Sequence, residues 1–561
     1  MNRRTKIIAA LILGAGLVLM LAAGWPFAAH YRAKWRVEEY KRQLRAGGEK
    51  LAIAELTPSL PVADIGAART LMDATAGLSG PSPPRNFIPL MRSVAPGHAI
   101  VAWKQEILPT QETTNVWPGL SAMIRENEDA LAKVRVAMRN PTRASKLAYG
   151  QGFALLMPHL TRLKGLAQWL SAATILELHE GRAGNAWGNL KALTALVDRD
   201  KGEALMISEL VRIAIGSIAV TTAWEALQLR DWREADLREL QTAWESVEFV
   251  AQAETAISME RAMGEKSFEA GRQSFSVITG GGLTSGGTSS GLAELTQMAQ
   301  EVMDNPRAGF QNIVHRYPGY WGWKWWGSYE DELANAEMAQ ASLETLRAAK
   351  RDHVLGARLK QLAEKTRLLH QRHQSAGDWL GYSLAGETGL PRFLSRVASM
   401  ETQRSLLVTA IALKRYQISK GAYPADLNSL LPEFVREMPR DVVDGQPLRY
   451  RVNADGSFLL YSIGEDGQDN GGDASQPEQT SQALEAFRKV WWRARDAVWP
   501  WPASAEEVKA EFEKVASGRK VVETAGGANP ASRGEVEAFR KRYGLTPGAR
   551  GQTNAARPTI R

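Results

Sequence analysis

Gly421-Ala-Tyr-Pro-Ala-Asp-Leu-Asn-Ser-Leu-Leu-Pro432 opens the stretch that decides the fold of this chain. Pro439-Arg-Asp441, Asp444-Gly-Gln-Pro-Leu-Arg-Tyr450 and Leu460-Tyr-Ser-Ile-Gly-Glu-Asp-Gly-Gln-Asp-Asn-Gly-Gly-Asp473 complete it. Ahead of it, Arg392 to Lys420 has helical apolar spacing, with Leu406, Ala410 and Leu413 on one face and Leu407 and Ile411 beside them. Gly421 is suited to stop that helix, because glycine takes a left-handed conformation at little cost. Tyr423 precedes Pro424 and is pushed to extended geometry. Leu427, Leu430 and Leu431 predict a short helical turn. Leu448–Val452 and Ser457–Ser462 predict two strands, joined at Asn453-Ala-Asp455-Gly456 by a hairpin turn. The spacing therefore predicts a small α+β unit over 391–475.

Upstream the pattern is helical. From Val116 to Phe268 alanine and leucine recur at helical spacing, as in Leu155, His159, Leu163 and Leu166, or Ile207, Leu210, Val211, Ala214 and Ile218. Ala173 to Gly181, followed by Ala183, Ala186, Leu190 and Leu193, predicts an αα-hairpin. It resembles a tetratricopeptide-type pair, but no second copy appears at that period, so the body over 31–273 reads as an irregular helical domain. Six prolines between Pro58 and Pro89 predict mostly loop over Thr57 to Pro96, with a short helix near Ala67–Ala76. Ser274 to Gly291 is a Gly/Ser-rich loop. A helical segment with an aromatic cluster fills 292–390, including helices near Tyr329–Asp352 and His353–Gln374. A polar, partly disordered tail covers 476–561, with helices near Gln482–Ala497 and Ala505–Ala516; Trp491, Trp492, Trp499 and Trp501 are candidates to fold it back on the body.

At the N-terminus, Arg3, Arg4 and Lys6 precede a run from Ile7 to Ala29 with no ionisable residue. At 1.5 Å per residue a helix of this length spans a hydrocarbon core of roughly 30 Å. Ala22-Ala-Gly24 offers a small-residue cleavage site, yet the run continues through Trp25, Pro26 and Phe27, and we read an uncleaved anchor over 1–30. Arg32, Lys34 and Arg36 flank its far side, so basic-residue bias does not decide the orientation. A cytoplasmic N-terminus makes the bulk of the chain extracytoplasmic. The fold class is thus mainly α: an N-terminal transmembrane helix, an irregular helical body and a small α+β C-terminal module.

Composition excludes some chemistry. The chain has no cysteine, which removes thiol catalysis, disulfides and thiolate metal sites. No phosphate-binding glycine loop, dinucleotide fingerprint or nucleophile elbow is present. His179-Glu180 lacks a second histidine at zinc-protease spacing. His370 and His373 are one turn apart, but Lys365, Arg367 and Arg372 surround them with positive charge. Net charge is +8, and Arg540 to Arg561 holds six basic residues and no acid. That tail reads as a solvated end rather than a nucleic-acid site.

The 423–473 block resembles the C-terminal domain of the major pseudopilins of type II secretion: a long helix, Gly-x-Tyr-Pro, a short turn, Pro-x-Asp, Asp-Gly-x-Pro-Leu-x-Tyr and Tyr-Ser-x-Gly-x-Asp-Gly. The pilin processing site is missing, and hundreds of residues separate the apolar start from the module. The chain more closely resembles uncharacterised single-pass envelope proteins of bacteria that carry this module at their C-terminal end. Asp496 to Glu507 is similar to the segment that lies C-terminal to the module in those proteins. The resemblance implies an inner-membrane location. It also implies a calcium loop in which Ile463 offers a carbonyl and Asp466, Asp469 and Asp473 offer carboxylates, hard oxygen donors that suit Ca²⁺. The closing Asp-x-Asp is only partly present, since Ala474 and Ser475 come after Asp473. A solvated acidic turn accounts for the same residues without a metal, and no cofactor is required.

Tyr317 to Tyr329 is the densest aromatic cluster. Its Tyr320, Trp321, Trp323, Trp325 and Trp326 are candidates for a glycan-stacking platform or a lipid-facing belt, against a plug for the helical core. The expected function is binding or scaffolding in the cell envelope, with the bilayer as partner through 7–29 and an envelope protein or glycan as a further partner. The alternative is an envelope enzyme acting on glycan or peptide, with Glu330 or Asp331 as its acid/base group.

Overall fold

The computed structural model describes residues 27–59, 62–84, 91–110, 112–140, 147–199, 202–273, 320–372, 389–477 and 491–525. The fold is mainly helical with two small three-stranded sheets. Most of the expected membrane span, the 274–291 loop, His373 and the basic tail lie outside the described residues.

Helix α1 covers 27–46 and α2 is Val62–Ala76. A hairpin comes next, β1 (Arg92–Ala95) and β2 (His98–Ile100), turning at Gly97 with φ 73°. The proline count predicted loop here. The Pro96-Gly97 turn, with β-branched and small apolar residues on each side, makes a hairpin instead. Then come α3 (Trp117–Glu126), α4 (Glu128–Ala137), and the expected hairpin pair α5 (Pro158–His179) and α6 (Ala183–Arg199), with Gly181 at φ 75° between them. Gly165 on α5 marks a close crossing. A Cβ there would lie 1.7 Å from the carbonyl oxygen of Pro81, so the proline-rich strand runs directly over the helix.

Helix α7 (Met206–Leu227) is the axis of the body, packed by α5, α6, α9 (Phe249–Gln273) and α12 (Leu390–Lys420), while α8 (Glu234–Glu245) lies against α12. Among the described residues α7 alone is long and apolar enough to cross a membrane, and 67% of its apolar window is buried inside the protein. Its apolar residues line a core on most sides, which explains their density. After α9 the chain resumes in a π-turn, Trp323–Gly327, that leads into α10 (Ser328–Asp352) and α11 (Gly356–Arg372).

The C-terminal unit has the order read from its punctuation. Helix α12 ends at Gly421 with φ 84°, a short 3₁₀ turn covers Leu427–Leu430, and β3 (Arg449–Val452) pairs antiparallel with β4 (Phe458–Ser462). Of the helix expected near Gln482–Ala497, residues 482–490 lie outside the described residues; its last residue, Ala497, is in β5 (Ala497–Val498), which joins β4, and β6 (Trp501–Pro502) joins β2 in parallel. Six residues thus complete both sheets. Helix α13 (Ala505–Ala525) comes last, with Glu507 on His98 at 2.7 Å. Residues 491–525 are structured: the helix expected near Ala505–Ala516 is present in α13, and Trp491, Trp492 and Trp499 pack this part of the tail onto the body. One continuous core runs from Leu71 through α12 to Trp499, so the body and the 391–475 module are not cored separately.

Candidate functional site

The aromatic cluster is split by the π-turn. Tyr320 and Trp323 point inward, 3% and 0% exposed, and join Phe268. The Tyr320 hydroxyl donates to the Gly271 carbonyl at 3.1 Å, and Trp323 Nε1 donates to Asp331 Oδ2 at 2.8 Å. A buried tyrosine or tryptophan needs such a partner for its polar atom. Trp321, Trp325 and Trp326 point outward, 45%, 37% and 49% exposed. The cluster is thus half core plug and half outer face. The two carboxylates considered as acid/base groups have structural partners: Asp331 is fully buried against Trp323, and Glu330 accepts from Arg36 at 2.8 Å.

Of the outward tryptophans, Trp325 meets α1. Phe27 packs edge-to-face on Trp325 with ring centroids 5.6 Å apart, and His30 lies 4.9 Å from the same ring. Residues four apart share a helix face. Phe27, Tyr31 and Trp35 therefore continue as a stripe, 55%, 63% and 61% exposed. The opposite side of α1 buries Ala33, Val37 and Leu44. The sequence signal for this stripe is the four-residue spacing of Phe27, Tyr31 and Trp35. Large apolar residues gathered on one exposed face, rather than scattered singly, mark an interaction surface.

Charge fixes α1 in place. Lys41 bridges Glu332 at 2.6 Å and Glu265 at 2.7 Å, and Arg272 reaches Glu332 at 2.7 Å. Burial opposes the charged lysine, but Glu332 and Glu265 outweigh it and hold the Lys41 pKa above its ordinary value. Just beyond α1, Glu49 accepts from Arg261 at 3.0 Å and from Arg347. Helix α1 and the residues just after it are thereby tied to α9 and α10 by pairs that are partly or wholly buried.

The acidic loop is built differently. Asp466, Asp469 and Asp473 each accept, through Oδ1, the backbone N–H two residues ahead, at Gln468, Gly471 and Ser475. These are three Asx turns in succession. Oδ2 of Asp469 lies 3.4 Å from Arg449 Nε, and Oδ2 of Asp473 lies 3.6 Å from Arg495 Nε. Two buried carboxylates hold the loop from beneath. Asp496 accepts N–H bonds from Asn470, Gly472 and Asp473, and Asp441 accepts from Ile463 N–H and the Ser462 hydroxyl. The sequence marks Asp441 only as the end of the Pro-x-Asp motif and Asp496 only as the start of the 496–507 segment, neither as a support for the loop. Ile463, Asp466, Asp469 and Asp473 have the donor chemistry for calcium, but two of the carboxylates already face guanidinium groups. Among the described residues, no three His, Asp or Glu side chains converge as a metal set.

Compared with protein-family models, curated proteins and solved structures, this chain matches none.

Proposed function

We propose that this protein is a membrane-anchored binding or scaffolding protein of the bacterial cell envelope, held at the inner membrane by residues 7–29 with its bulk outside the cytoplasm. The observation that carries this reading is the outward aromatic face of Phe27, Tyr31, Trp35, Trp321, Trp325 and Trp326. It lies where the uncharged run of the sequence ends, and tryptophan and tyrosine favour the boundary between headgroups and hydrocarbon. The ion pairs along α1 then serve to hold the whole body at a set angle to the bilayer. The likeness of 423–473 to a pseudopilin module supports the envelope compartment and a role exercised by binding.

The test uses the full chain in nanodiscs containing brominated lipid. Indole fluorescence is expected to be quenched more in the unaltered protein than in W321S/W325S/W326S. Equal quenching would remove the aromatic face from the membrane. A reporter fused after Lys50 separately tests the topology, and activity confined to the cytoplasm would overturn the localisation.

A further inference from the structure

A cavity of about 450 Å³ opens where the C-terminal end of α7 and the last turns of α12 meet the β3–β4 turn and residues 499–502. Its size is in the range of small-molecule sites. Arg230 and Lys414 line it, with Tyr423, Phe458, Trp499 and Trp501. Lys104 lies within electrostatic reach of both cations. None of the three makes an ion pair with a described carboxylate. The acid in the lining, Asp455, has Oδ1 occupied by the N–H and hydroxyl of Ser457, at 2.9 and 2.6 Å. The larger cavity of about 550 Å³ beside α8 and α12 is a useful contrast. There Arg404 rests on Glu401 at 2.6 Å and Lys350 on Glu254 at 3.2 Å, and Glu245, Glu248 and Glu437 line it beside Arg436 and Arg440, so acids and cations are mixed.

Arg230 and Lys104 are exposed and Lys414 is half-buried; like charges gathered this way repel one another, and an anion that joins them is favoured. The cost is visible in the lysines: burial first, and then repulsion from the neighbouring cations, lowers the pKa of both Lys104 and Lys414. The internal acids do not pair with these cations. Hydrogen bonds from Ser457 hold Asp455 below the usual carboxylate range, yet it makes no ion pair with a described cation, and Glu225 is fully buried, accepts the Ala102 N–H at 3.0 Å and is pushed up by burial to about 8. Beside the cations is a row of aromatic rings. Tyr423 meets Phe458 edge-to-face at 4.8 Å, and Phe458 meets Trp501 at 5.3 Å. The rings stand edge-to-face, so they offer a bound ring apolar faces and edges rather than one flat plane.

We propose that this cleft binds a small phosphate-bearing ligand with a planar ring, the anion held by Arg230 and Lys414 with Lys104 adding positive charge from outside the lining, and the ring packing against Tyr423, Phe458 and Trp501. Arginine suits the tetrahedral oxygens through its fork of donors, and the lysines supply charge. The site is distant in sequence from α1 and does not depend on the membrane reading.

The experiment is calorimetric titration of the full chain in detergent with inorganic phosphate, phenyl phosphate and phenol. Phenyl phosphate is expected to bind saturably and about tenfold more tightly than phosphate, with no binding of phenol. R230Q and K414Q are each expected to weaken phenyl phosphate by about tenfold, or ~1.4 kcal/mol. K420Q, which alters an exposed lysine paired with Glu433, should bind as the unaltered protein does. Because neither Arg230 nor Lys414 holds a described ion pair, both variants should keep the unaltered unfolding midpoint, which separates loss of binding from loss of fold. No saturable binding at millimolar phenyl phosphate, or unchanged affinity in R230Q/K414Q, would overturn the proposal. Phosphate and phenyl phosphate binding equally would overturn the part played by the aromatic row.

Discussion

Lys41 and Glu332 form an ion pair at 2.6 Å between α1 and α10, with the glutamate side chain only 3% exposed. Glu332 also faces Arg272 at 2.7 Å, so one buried carboxylate bridges two cations from two other helices, with Glu265 on Lys41 supplying the second negative charge. Removing one member of such a group strands the others without solvent or counter-charge. Glu332→Ala is expected to destabilise the protein by about 3–5 kcal/mol in urea unfolding. A loss below about 1 kcal/mol, typical of exposed pairs, would show that the cluster is solvated.

Glu49 adds a pH dependence. Hydrogen bonds from Arg347, opposed by burial and helped by Arg261 and Gln340, lower its pKa from 4.5 to about 2. A folded-state pKa below the unfolded value contributes stability that is complete above pH 4.5 and lost as pH falls toward about 2. The contribution is at most about 3 kcal/mol. In thermal melts taken across this window, the unaltered protein should lose midpoint more steeply than Glu49→Gln. Parallel curves would mean that α1 is not held through this carboxylate.

Gly165 predicts a steric effect. Its missing side chain lets the Pro81 carbonyl approach α5, and Trp169 Nε1 donates to the neighbouring Gly80 carbonyl at 3.2 Å. Gly165→Ala should gain helix propensity and still lose about 1–3 kcal/mol by overpacking. The accompanying sign is faster amide exchange around residues 80–82. A stabilised Gly165→Ala protein would contradict the close crossing.

Calcium would have to compete with arginine at the 463–473 loop. Asp469 and Asp473 each turn one oxygen toward Arg449 or Arg495. Weak, millimolar binding is expected in the unaltered protein, tightening about tenfold in R449Q/R495Q as the competing charges go. Unfolding midpoints measured with calcium and with chelator give the answer. A chelator-sensitive midpoint already at micromolar calcium would show that the arginines yield to the ion.

Local chemistry was legible in the sequence. Gly421, the Asn453–Gly456 turn and the alternation on either side of it place α12, β3 and β4 within a residue or two. Helical spacing similarly locates α5, α6 and α10. Long-range relations were not legible. β5 and β6 are two residues each, too short for any period to appear, and they exist because Leu460 and Gly97 offer carbonyls to Trp499 and Trp501. In the acidic loop the exposed aspartates attract notice, but the buried Asp496 that organises the loop comes from beyond it. Arg230 and Lys414 are lone basic residues until the end of α7 and α12 bring them to one cleft, with Lys104 in electrostatic reach.

Residues 497–502 supply the last strand to two sheets whose other strands lie at 92–100 and 449–462. Chains fold largely in the order in which they emerge from the ribosome. Here the early hairpin must wait for some four hundred residues of further synthesis before its third strand arrives. Both sheets close together in one late step, so a chain interrupted before Ala497 leaves two open edges at once.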